Sequence, residues 1–95
     1  MSEHRDESNR LTIDFHHIKS SAYSKVTKEI VTEFELEAAS DKTVGLDEMF
    51  QDFKRNDEVI GLEWDNWSGY IVNAKTEQSD PLVRDIGAYI CSRFS

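Results

Sequence analysis

Between Glu58 and Thr76 the apolar positions fall on every second residue, in two runs. Ile60, Leu62 and Trp64 alternate along the first run, and Tyr70, Val72 and Ala74 along the second. Spacing of period two turns one side of each run towards a core and the other towards solvent, which predicts two strands. The intervening Asp65-Asn66-Trp67-Ser68-Gly69 supplies polar residues and a glycine for the positive φ that a tight loop requires. This hairpin, 58–76, is the expected centre of a small antiparallel sheet. Leu11, Ile13 and Phe15 alternate with Thr12, Asp14 and His16 in the same way and predict a further strand. Residues 1–9 are polar and charged and are expected to be disordered.

Elsewhere the spacing lengthens to three and four. Tyr23, Val26, Ile30 and Phe34 follow a helical stripe, Ser20 or Ser21 is placed to cap it, and Lys25 and Glu29 stand one turn apart. Against this, Thr32, Phe34, Leu36 and Ala38 alternate with Glu33, Glu35 and Glu37 as a strand would. The β-branched residues of this stretch also weaken a helix by a few tenths of a kcal/mol each. The length of the periodic run favours a helix over about 20–35, with a strand as the competing assignment. Residues 40–45 read as a turn. Leu46, Met49, Phe50 and Phe53 then predict a short helix, with Asp47 and Glu48 at its positive end, Lys54 and Arg55 at its negative end, and Asn56-Asp57 closing it. The last helix begins at Ser79-Asp80-Pro81, one of the first two capping and the proline in the first turn. It runs through Leu82, Val83, Ile86 and Ile90 to about Arg93. Gly87 within it costs up to about 1 kcal/mol relative to alanine and permits a close approach to the sheet. The expected architecture is therefore one α+β domain over 10–95, with helices packed on one face of the sheet.

Charge adds a direction to this picture. The 95 residues carry a formal net charge of −8, which opposes binding to nucleic acid phosphates and to anionic membrane surfaces. The excess is concentrated: from Glu29 to Asp65 there are twelve acidic residues and three basic ones, a balance of −9. Such a stretch suits either solubility alone or an acidic recognition face for a basic partner. The single cysteine, Cys91, excludes an internal disulfide and fits a reducing compartment, and on its helix it reads as a small core residue. The opening MSEHRDESNR lacks the apolar segment of a signal peptide, and no run of about twenty apolar residues would span a bilayer. A cytoplasmic location is expected.

Few residue groups suggest chemistry. His16-His17 would point to opposite faces of a strand, and metal-ligand spacings such as HExxH and CxxC are absent, so neither metal nor cofactor is expected. Glu63 and Asp65 fall on one face of a strand, opposite Leu62 and Trp64. A carboxylate pair can carry acid–base catalysis when burial holds one member protonated. Here they flank a turn in an acidic stretch, where a solvated face is the stronger reading and an enzyme the weaker. As binding groups they suit the arginines or lysines of a partner. Trp64 fits the buried register. Trp67 lies in the loop, either folded back over the hairpin or projecting as the aromatic anchor of a protein interface. Ser68 lacks the G-x-S-x-G setting and the nearby base of a nucleophile.

The segment GLEWDNWSGYIVNAK (61–75), followed by SDPLVRDIGAYI (79–90), resembles the small acidic immunity proteins of bacterial polymorphic toxin systems, including contact-dependent growth inhibition. The resemblance covers roughly the C-terminal half of the chain. It implies a compact, non-catalytic cytoplasmic protein that binds and neutralises a cognate basic toxin domain, in many cases a nuclease, through an acidic face. On that basis Glu63, Asp65, Trp67 and Tyr70 would meet the toxin, helped by Glu48, Asp52, Asp57 and Glu58. The alternative from the residues alone is a homo-oligomeric or adaptor module associating through the hairpin edge or Trp67.

Overall fold

The computed structural model describes residues 1–94 and shows an α+β protein. The predicted hairpin is its centre. Strand β6 (Glu58–Asp65) pairs with β7 (Gly69–Ala74) from Ile60 opposite Ala74 to Asp65 opposite Gly69. On the β7 side lies β2 (Leu11–Phe15), with β1 (Ser2–Arg5) at the edge beyond it. On the β6 side lies β5 (Glu48–Arg55), whose outer edge is covered by two short strands, β3 (Glu37–Ala38) and β4 (Thr43–Val44). All pairings in this seven-stranded sheet are antiparallel, in the order β1-β2-β7-β6-β5-β3.

Strand alternation decides which side chains meet the helices. Ile13, Phe15, Phe53, Ile60, Leu62, Tyr70, Val72 and Ala74 are buried on one face. Helix α1 (Tyr23–Glu33) contributes Tyr23, Val26 and Ile30 to the core, and α2 (Asp80–Arg93) adds Leu82, Val83, Ile86 and Ile90. Each such side chain stabilises the fold by about 1.5–3 kcal/mol through removal from water. Two buried hydroxyls orient α1: Tyr23 donates to the Leu62 carbonyl at 2.5 Å, and Thr27 Oγ1 meets the Tyr70 hydroxyl at 2.7 Å. Helix α2 comes closest at Gly87, where an added Cβ would lie 2.8 Å from Ile13 Cδ1. The absence of a side chain thus permits the close approach expected of this glycine.

Several expectations are corrected. Residues 46–55 are not a helix, because the backbone from Glu48 to Arg55 hydrogen-bonds along β6 over eight residue pairs. Asn56, with φ 55°, and Asp57 form the two-residue turn of that hairpin rather than a helix end. The apolar residues distribute accordingly: Phe53 is buried, Met49 packs against the core, and Phe50 lies on the opposite face. The N-terminal residues, expected to be disordered, supply β1, whose ladder to β2 is reinforced by two ion pairs to α2: Arg5–Asp80 at 2.8 Å and Glu3–Arg84 at 3.0 Å. Of the 20–39 alternatives the helix forms, entered through a 3-10 turn at Ser20–Ala22, and neither serine side chain caps it. Ser79 does not cap α2 either. Its hydroxyl accepts from the Val59 amide at 2.8 Å and joins the helix start to β6. Cys91 is exposed rather than part of the core.

Candidate functional site

Two loops meet at one end of the sheet. The β6–β7 loop, 66–68, is shaped by Asp65, whose Oδ1 accepts from the amides of Trp67 at 2.9 Å and Ser68 at 2.6 Å. Gly69 follows at φ 76°, and an added Cβ there would fall 2.3 Å from the Phe15 carbonyl oxygen, so only glycine fits. The β4–β5 turn closes through the Gly45 amide, which donates to the Glu48 carbonyl at 2.8 Å. Asn66 ties the two loops together: its amide donates to the Asp47 carbonyl at 3.2 Å, and Nδ2 to Asp47 Oδ1 at 2.8 Å.

With their backbones so fixed, the loops present apolar side chains to solvent. Trp67 is 77% exposed and Leu46 fully so, with Val44 on the same β4–β5 hairpin at 64%. Leu46 and Trp67 enclose a shallow hollow together with Asp47 and Glu48. Trp64, three residues from Trp67, shows the contrast. It packs against the core, and its Nε1 donates to the Ile18 carbonyl at 2.9 Å. Trp67 is therefore the projecting indole and not a lid over the hairpin. On its other flank it borders a hollow lined by His16, Lys19 and Asp65, whereas Asp47 and Glu48 lie on the β5 side of the indole.

The eight residues named from the sequence divide among four places. Glu48, Asp65 and Trp67 come together at this end of the sheet. Asp65 is half-buried with Oδ1 engaged in the turn, whereas Glu48 is exposed. Glu63 and Asp52 lie in the middle of the face opposite the helices, and Glu63 is neutralised by Lys75 at 3.1 Å. Asp57 and Glu58 stand at the far end of the β5–β6 hairpin, roughly 25 Å away at strand rise. Glu58 is paired with Arg55 there at 3.4 Å. Tyr70 is fully buried and cannot meet a partner. Its phenol sits opposite Trp64 on the core face, and burial pushes its pKa upward. The same burial pushes Tyr23 up to about 12.

Among the described residues no lysine or arginine pairs with Asp47, Glu48 or Asp65. That leaves a patch of negative charge around two apolar side chains. No cluster of three or more His, Cys, Asp or Glu among the described residues would hold a metal ion. None of their helices is long and apolar enough to cross a membrane. His17, exposed after β2, meets the Phe94 carbonyl through Nε2 at 2.7 Å, a tie between the sheet and the end of α2. Leu46 is the site residue that sequence reading missed. Its place in an apparent helical stripe concealed it, and the Asn56-Asp57 turn was the signal that would have released it. No family model, characterised protein or solved structure matches this chain.

Proposed function

We propose that this protein is a binding module of the immunity type, which captures and neutralises a cognate basic toxin domain. One observation carries the reading: an exposed indole, Trp67, stands beside Leu46 at a hydrogen-bonded tip bordered by the carboxylates of Asp47 and Glu48. Large aromatic side chains in such settings dominate protein interfaces, while unpaired acids steer a basic partner and speed its capture. The pattern of 61–75 and 79–90 supports the same reading, as does the net charge of −8. On this proposal the protein acts in the cytoplasm, without a cofactor, by covering the toxin and not by chemistry.

The test is capture of a basic protein from the source cells at low and high salt, followed by assay of its toxicity with and without the bound protein. Association should slow as salt rises. Trp67→Ala should weaken the complex by about 2 kcal/mol or more while leaving the monomer folded. Retention of full affinity in Trp67→Ala would remove the proposal. A second reading is self-association, favoured by the exposure of Leu46 and Trp67 at one tip. Sedimentation that depends on protein concentration, abolished by Trp67→Ala, would select it instead.

A further inference from the structure

The sheet face opposite the helices is open, and on its β1–β2–β7 side it carries a hollow of about 340 Å³. Its walls hold an acidic set whose compensation is incomplete. Lys75 is already engaged: it reaches Glu63, and the pair lies across Gly61, whose missing side chain makes room for both. Asp6 accepts from the amides of Ser8 and Arg10 through Oδ1, each at 2.9 Å, and its Oδ2 stands 3.4 Å from Asn73 Nδ2. Asn73 Nδ2 also donates to Thr12 Oγ1 at 2.5 Å.

Asp14 differs from these. Its residue is only 7% exposed, it lines the hollow, and among the described residues no donor makes a hydrogen bond to its buried Oδ1. His4 Nδ1 lies 3.5 Å from this oxygen, close enough for attraction when the ring is charged but without hydrogen-bond alignment. The imidazole belongs to the four-residue edge strand β1 and is itself half exposed. A buried carboxylate oxygen without a donor is costly, and a cationic donor relieves that cost.

We propose that this hollow receives the guanidinium of an arginine side chain from the basic partner, which displaces the half-exposed His4 ring from Asp14 and takes Oδ1 as its principal acceptor. This rests on the reading of the chain as a binder of a basic domain. A planar guanidinium suits a slot floored by a sheet, and its several donors can serve Asp14 while the charge lies near Asp6. An ammonium group, compact and strongly hydrated, gains less from such a site. Ser68, which follows Trp67 in the chain, lines the hollow, so one partner can engage both the hollow and the tip.

The experiment is a titration of the whole chain with methylguanidinium chloride at constant ionic strength, followed by amide NMR, with methylammonium chloride as the second probe. The expected result is a saturable set of shifts confined to Thr12, Asp14, Ile71 and Asn73, stronger for methylguanidinium, and about tenfold weaker binding in Asp14→Asn. In His4→Ala the oxygen is uncovered, and affinity should rise about threefold. Non-saturating shifts spread over all acidic positions would overturn the proposal. So would equal binding of the two probes, or unchanged affinity in a folded Asp14→Asn or His4→Ala protein, which would leave His4 and Asp14 as an internal pair only. The toxin readout separates this inference from the reading beneath it. Full capture by Asp14→Asn with loss in Trp67→Ala overturns the arginine site alone. Saturable, Asp14-dependent binding of methylguanidinium with no capture of any basic domain overturns the immunity reading.

Discussion

Gly69 and the two tryptophans show how much one residue decides in this chain. The Gly69 backbone is held at φ 76° with the Phe15 carbonyl directly behind it. Gly69→Ala therefore combines a strained conformation with a backbone clash, and should cost about 3 kcal/mol, read as a lower denaturant midpoint. Its neighbours Trp64 and Trp67 were separable in part from sequence. The alternation that buries Leu62 also turns Trp64 against the core, where it is partly buried, but no periodicity reaches into the loop to say where Trp67 goes. Tyr70 is the reverse case, since its alternation was legible and argued against the partner-binding role assigned to it. Burial of Tyr70 and Tyr23 has a consequence in alkali. The unfolded chain releases phenol protons from about pH 10, while folded Tyr23 holds its proton to about 12 and Tyr70 to higher pH. Above pH 10 the native state then binds more protons than the unfolded state, and stability must fall as pH rises. Denaturant midpoints measured from pH 8 to 11 should be level up to about 9.5 and then decline, less steeply in Tyr23→Phe.

Single elements were legible where their pattern was long or bounded by strong punctuation. The 58–76 hairpin and α2 form as the sequence predicts, because alternation plus Gly69, and the 3–4 repeat plus Pro81, each leave one assignment. Strand β5 was misread because Leu46, Met49, Phe50 and Phe53 fit a helix while Met49, Gln51 and Phe53 fit a strand. Eight ladder pairs with β6 decide between them. Strand β1 is a different failure. Nothing in SEHR promises a strand, and its order comes from the edge that β2 offers and from the carboxylate of Asp80 and guanidinium of Arg84 on α2. Exposed ion pairs of this type contribute at most about 1 kcal/mol each, so β1 should open locally. In native-state hydrogen exchange its amides should exchange at least about a hundredfold faster than those of Val72 and Ala74. Equal protection would show β1 to be part of the global unit.

At the scale of the molecule, one face of one sheet packs against both helices and carries the core, and the other is open. Leu62 sits at the centre of the buried face, under α1 and beside Tyr70. Leu62→Ala should cost about 3 kcal/mol in a single cooperative transition followed by circular dichroism, whereas Trp67→Ala should change stability by less than about 0.5 kcal/mol. The acidic residues that dominate 29–65 do not act as one patch. The fold spreads them over the tip, the open face and the far turn, and neutralises Glu58 and Glu63 internally. Net charge survives this dispersal, but a binding site does not follow from it.

The sequence by itself determined the α+β class, the central hairpin, α2 and the inward register of Ile60, Leu62, Tyr70 and Val72, and it favoured α1 over a strand, since each depends on local spacing and on the removal of apolar surface from water. Only the tertiary structure decided that β5 is a strand, that β1 is ordered, that Trp67 and Leu46 share a tip, and that Asp14 lies buried with an oxygen unserved. Those outcomes depend on which distant backbone lies alongside, and spacing along a chain holds no record of its neighbours in space.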